Sequence, residues 1–157
     1  LSQKIFIPYT IHNSHVFINE FETLLKNSSK NFFPNFNIKM HPTMLTFKQS
    51  KHFIFNKKLK NLIETYKDRF TDNSKNKNVS IFFGVTAAVF EALETGIEVI
   101  HFCSDPVFDS HSEKLWPNLK VEQLGKFVFR YTLISLGKYI IFGKKENFLN
   151  ETLKKVY

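Results

Sequence analysis

Cysteine is nearly missing from this chain: Cys103 stands alone among 157 residues. One thiol forms no internal disulfide and builds no thiolate zinc site, which points to a reducing compartment. Arginine is scarce too. Of the 22 basic residues only Arg69 and Arg130 are arginine, although the formal net charge is +8. Base reading and bidentate phosphate clamping favour arginine, so no nucleic-acid partner is expected. No apolar run approaches the ~18–20 residues that cross a bilayer. No signal peptide is read either, because the opening "LSQKIFIPY" already patterns as a strand. Repeats, low-complexity tracts and long internal linkers are absent. The chain opens on Leu rather than Met. It is therefore expected to be one domain, residues 1–157, of a longer two-domain protein. The expected location is the cytoplasm, with peripheral contact at the inner face of the membrane as an extension.

What is present is apolar and aromatic. Hydrophobic residues make up 43% and aromatic ones 16%, with 19 phenylalanines. A chain of this size and composition buries a core and is not disordered. The lysines gather in the Asn-rich stretches 48–60 and 67–78. Two readings stand for them: plain solvated surface, or a patch that attracts an anionic membrane or a nucleotide.

Periodicity divides the chain into alternating elements. Apolar runs predict strands over 4–9, 36–42, 52–55, 79–83 and 98–102. Phe17, Phe21, Leu24 and Leu25 recur at helical spacing, so 14–27 is a helix, with Asn13 or Ser14 as its cap. Leu59, Leu62, Ile63 and Tyr66 predict a second helix over 56–67, and 86–95 a third. Residues 103–118 lack a period and read as a long loop. "KFVFRYTL" (126–133) and "KYIIF" (138–142) are strand-like, and 147–157 closes as a helix. Strands that are apolar throughout and alternate with helices indicate a parallel sheet covered on both faces. The predicted fold is a doubly wound, Rossmann-like α/β sandwich.

In such folds ligands sit outside the C-terminal ends of the strands. That rule selects two strand tips. One carries Lys39, His41 and Pro42; Lys39 and His41 alternate, so they share a face. They form either an anion-binding pair or a surface Lys beside a His bonded to backbone. The other tip carries Gly84 and Thr86. Thr86 sits where a helix cap belongs, and a helix N-terminus with its free N–H groups also favours phosphate. Gly84 keeps side chains away from an approaching anion. Glu91 lies five residues past Thr86, too far for a capping box. It is either part of a solvated helix face or a carboxylate placed to accept hydrogen bonds from ribose hydroxyls.

"IKMHP" (38–42) followed by "GVTAAVFEALETGIEVI" (84–100) resembles the C-terminal, donor-nucleotide-binding domain of GT-B-fold glycosyltransferases. The bacterial surface-carbohydrate enzymes share this flavour: sialyltransferase-like and polysialyltransferase-like families and teichoic-acid CDP-glycerol polymerases. They pair an HP motif with a Ser-Ser/Thr motif. The resemblance spans residues 36–102 and extends in outline to the whole chain. It implies phosphate contacts at His41 and Pro42, supported by Lys39, and at Gly84 and Thr86, with the ribose at Glu91. Ala87 departs from the second hydroxyl of the Ser-Ser/Thr motif and leaves the donor class open. No catalytic residue matches, since the base and the acceptor site of these enzymes belong to the N-terminal domain. The implied activity is sugar transfer from a nucleotide sugar in capsule or lipopolysaccharide synthesis, without a metal or other cofactor. The acceptor would be a glycan or a lipid-linked molecule, and this fragment alone would be inactive. Three alternatives stand beside it: a nucleotide-sugar epimerase of the same fold, a CDP-glycerol-type glycerophosphotransferase, and a non-catalytic binding domain.

Other candidates are thinner. His12 and His15 are close in sequence but have no third metal ligand. Asp105, Asp109 and His111 lie in the long loop with too few oxygens for calcium or magnesium. Cys103 reads as a small buried residue. Trp116 and Tyr131 either stack on a base or pack.

Overall fold

A computed structural model describes residues 2–45, 50–104, 116–134 and 140. The run "KYIIF" (Ile140 apart), the closing helix over 147–157, and Asp105, Asp109 and His111 lie outside the described residues. Among these residues six strands form one sheet: β1 (Lys4–Ile7), β2 (Asn37–Met40), β3 (Val79–Phe83), β4 (Glu98–Phe102), β5 (Leu119–Gly125) and β6 (Val128–Leu133). Three α-helices accompany them: α1 (Ser14–Asn27), α2 (Ser50–Thr65) and α3 (Ala88–Glu94). The strand order is β2-β1-β3-β4-β6-β5. The first four strands are parallel, and β6 and β5 add an antiparallel edge. The α/β class and the parallel centre are as the sequence predicts.

Every residue of β3 is buried, the pattern of a strand covered on both faces. Ile81 and Phe83 face one layer, Phe82 the other. In the first layer Phe83 stacks on Phe102 (ring centroids 4.8 Å) and meets Phe55 edge-on at 5.0 Å. Phe17 and Phe21 of α1 close this nest at 6.1 and 6.3 Å. The phenylalanine load thus becomes an interlocked core in which tilted and edge-to-face rings add to plain burial. The second layer holds Val89, Ala92 and Leu93 of α3 against Val99, Phe129 and Tyr131.

Two expectations give way, and two features are added. Residues 52–55 are not a strand; they begin α2. A four-residue apolar run fits either period, and here helical geometry buries His52, Phe55 and Leu59 while turning Phe53 and Ile54 outward. Residues 119–125, to which the sequence assigns no element, form β5, paired with β6. Its burial is mostly exposed, so it carries no apolar signal of its own. Asn13 does not cap α1 with its side chain. It takes a left-handed conformation (φ 55°) and its amide donates to Ser104 Oγ at 3.2 Å, tying the start of α1 to the tip of β4. Helices cover both faces of the sheet, as a doubly wound fold requires, with one unusual connection. The crossovers β2-α2-β3 and β3-α3-β4 progress the same way across the sheet, yet α2 packs with α1 on one face and α3 on the other. They therefore have opposite hands, against the usual uniform one. Two contacts hold α2 there: Phe55 against Phe83, and His52 Nε2 donating to the Pro8 carbonyl at 2.9 Å. No helix among the described residues is long and apolar enough to cross a membrane.

Candidate functional site

Strand order fixes where a ligand can enter. β1 lies between β2 and β3, so the chain leaves β1 for one neighbour and returns to the other. Outgoing connections diverge at such a point and leave a crevice at the C-terminal ends. A cleft of about 820 Å³ is found there. The tip of β1 contributes Pro8, Tyr9 and Thr10, and the tip of β3 Gly84, Val85 and Thr86. His41 enters from β2, Cys103 and Ser104 from β4.

Sequence reasoning places two strand tips at one crevice, and His41, Gly84 and Thr86 do line one cleft. His41 is held by its neighbours. Its backbone N–H donates to the Ile7 carbonyl at 2.9 Å, and the Thr43 N–H donates to Nδ1 at 3.2 Å. An accepting Nδ1 leaves the proton of the neutral ring on Nε2. Nε2 has no partner among the described residues and is the free donor of this side chain. The ring leans on Tyr9 (centroids 5.9 Å apart).

Thr86 Oγ1 accepts the Ala88 N–H at 3.3 Å, which leaves its own proton for another acceptor. Beside it the backbone N–H groups of Val85, Thr86 and Ala87 find no acceptor among the described residues, whereas the Gly84 N–H is taken by the Phe102 carbonyl at 2.8 Å. The donors belong to the loop. α3 is only seven residues long and its dipole adds little. Gly84 is needed for its backbone: φ is +69°, a region costly for residues with a Cβ. A Cβ there would touch Pro8 only at an ordinary 3.5 Å, so strain outweighs crowding. Gly84→Ala is expected to cost about 1 kcal/mol or somewhat more, readable as a lower urea midpoint; an unchanged midpoint would refute the backbone argument.

Three predicted site residues do not line this cleft. Lys39 pairs in register with Phe6, on the sheet face of α3, and is exposed. Pro42 is exposed and opens a 3₁₀ turn, Pro42–Leu45. Glu91 is exposed on α3, in whose first turn an acid complements the helix dipole. Alternation along β2 predicted the shared face of Lys39 and His41 only while the strand lasts, and it ends at Met40. Cys103 is buried, as expected, and Tyr131 packs fully inside the second layer. Trp116 also packs against that layer. Among the described residues no three His, Cys, Asp or Glu side chains are placed to hold a metal.

His101 escaped the sequence reading. It sits in β4, wholly buried, and its Nε2 donates to the Gly84 carbonyl at 2.6 Å. Tyr131 Oη approaches Nδ1 at 3.4 Å. The Gly84 peptide is thus tethered through its N–H to β4 backbone and through its carbonyl to a β4 side chain. A histidine inside the apolar run "EVIHF" was the signal available. Burial pushes its pKa below the usual histidine value, while the Gly84 hydrogen bond opposes this. With the folded pKa depressed, the unfolded chain binds this proton first as pH falls. Stability from His101 is therefore complete above pH ~6.5 and declines below it, at up to about 1.4 kcal/mol per pH unit. His101→Gln keeps one donor for Gly84 and removes the titration. Thermal melts between neutral and mildly acid pH should show a shallower decline for this variant, and parallel curves would refute the assignment.

No family model, curated protein or solved structure matches the chain.

Proposed function

We propose that this chain is the nucleotide-binding domain of a glycosyltransferase that takes its sugar from a nucleotide sugar. The observation that carries the reading is the cleft at the divergence point of β1. There His41 Nε2, the Thr86 hydroxyl and the loop N–H groups of residues 85–87 offer donors without acceptors among the described residues. Hydrogen-bond donors that line one cleft suit phosphate oxygens, and they stabilise the charge that grows on a departing nucleoside diphosphate. No lysine or arginine is found among the described lining residues. Charge compensation is therefore left to groups outside the described residues or in another domain.

In this reading His41 and Thr86 hold the diphosphate, and Gly84 sets the loop that aims the N–H groups. A ribose role for Glu91 requires the ligand to extend one turn along α3 beyond Ala88. Acceptor and catalytic base come from a second domain, so the chain binds donor without turning it over.

The experiment is a calorimetric or NMR titration with CMP, CDP, UDP and GDP. One diphosphate is expected to bind in preference to its monophosphate, and Thr86→Val to weaken it several-fold. Glu91→Ala separates the ends of the site. A loss confined to nucleosides, with inorganic pyrophosphate still bound, supports the ribose role. Failure of every nucleotide and of pyrophosphate to bind would sink the proposal.

A further inference from the structure

The misread stretch 52–55 has a consequence on the outer surface. Because these residues are helical, Phe53 and Ile54 project from α2 with 47% and 56% of their surface exposed. One turn further on stand Lys57 and Lys58, also exposed, the i+4 neighbours of Phe53 and Ile54. The helix carries four lysines against one acid, Glu64, which lies in its last turn. Beside Ile54, between α2 and the start of α1, opens a cavity of about 350 Å³. Its ionisable lining is all basic or imidazole: Lys51, Lys58, His12 and His15.

We propose that the outer face of α2 docks on an anionic lipid surface. Phe53 and Ile54 enter the headgroup–acyl boundary, Lys57 and Lys58 meet anionic headgroups, and the adjoining cavity receives one headgroup phosphate. The occupant follows from charge and shape together. Two neighbouring large apolar side chains stand out from α2, Ile54 also bordering the cavity, and lysines flank them. Apolar insertion plus lysine attraction is how a helix lies on an anionic bilayer. The position also has a geometric consequence. His12 and Asn13 line both the cavity and the β1 cleft, so a bilayer on α2 would border the cleft mouth. The docking does not depend on what the cleft binds.

Vesicle sedimentation of the whole chain tests this. Wild type should pellet with phosphatidylcholine vesicles containing phosphatidylglycerol, remain in solution with pure phosphatidylcholine, and be released by high salt. Each lysine near such a surface contributes about fivefold in affinity, so Lys57→Glu with Lys58→Glu should weaken binding more than tenfold. Phe53→Ser with Ile54→Ser should weaken it similarly. The control is Lys75→Glu with Lys77→Glu, an equal charge change on exposed residues of the loop before β3. It should retain most of the binding. Equal losses in the two lysine pairs would mean that net charge alone acts, and the proposal falls. It also falls if pure phosphatidylcholine binds as well, if nothing pellets, or if Phe53 and Ile54 prove neutral. A wild-type dimer in solution that Phe53→Ser with Ile54→Ser dissociates would overturn it in favour of a second copy of the chain. All substituted residues are exposed, and an unchanged melt for each variant excludes misfolding.

Discussion

Phe83→Ala is expected to destabilise the fold by about 3–5 kcal/mol, against a total stability of about 5–15 kcal/mol for an ordinary domain. Phe83 is wholly buried at the end of β3. It touches a stacked ring (Phe102), an edge-on ring from α2 (Phe55), and two rings from α1 (Phe17 and Phe21). Truncation removes one hydrophobic side chain and several ring contacts at once. The four neighbours sit on three separate elements, so the void cannot close by moving one of them, and unfilled cavity adds to the loss. Phe53→Ala removes the same side chain from an exposed site on α2 and should change stability by about 0.5 kcal/mol or less. Urea unfolding of the two variants reads the contrast. A Phe83 variant within about 1 kcal/mol of wild type would refute the nest as the chief support of this layer, since large core truncations rarely cost so little.

His41→Ala is expected to cost the largest part of nucleotide affinity, from about tenfold to a hundredfold. That is the range for one hydrogen bond to a charged acceptor. The effect should fall on binding alone, because His41 is exposed and its removal opens no core cavity. Its Nδ1 is occupied by the Thr43 N–H, so only Nε2 can serve a ligand. A Thr43→Pro variant would remove that N–H and release the ring, and should lose part of the affinity with His41 still present. Titration with the preferred nucleoside diphosphate measures both. Equal affinity of His41→Ala and wild type would remove His41 from the site and leave Thr86 and its loop as its donors among the described residues.

The pH dependence of stability is expected to come from His101 for a structural reason. His101 is sealed between Gly84 and Tyr131, and its burial makes the charged form costly. His41 stands at the cleft with one nitrogen free. A decline in stability below neutral pH that disappears in His101→Gln, with nucleotide binding unaffected by that change above pH ~6.5, would assign the titration to the fold.

Much of the layout was legible in the chain because the signals were local. The period of Phe17, Phe21 and Leu25 gives α1, and the unbroken apolar run "VSIFF" gives a doubly covered strand. Thr86 and His41 were found from the rule that ligands meet parallel strands at their C-terminal ends, which needs only the strand boundaries. Where the local signal was short or mixed, reading failed. "HFIF" satisfies a strand and a helix equally, and the decision came from Phe55 reaching Phe83 and His52 reaching Pro8, both distant in sequence. β5 shows mostly exposed residues and exists because β6 offers it backbone partners.

The sequence by itself determined the alternation of elements, the buried faces and two strand tips, at His41 and at Thr86, that border one cleft. These follow from the periods of helix and strand and from a residue's immediate neighbours. The tertiary structure decided that α1 and α2 share a face, that Lys39, Pro42 and Glu91 lie outside the cleft lining, and that His101 holds Gly84 in place. Those outcomes depend on strand order and on contacts between residues far apart in the chain, which no local pattern encodes.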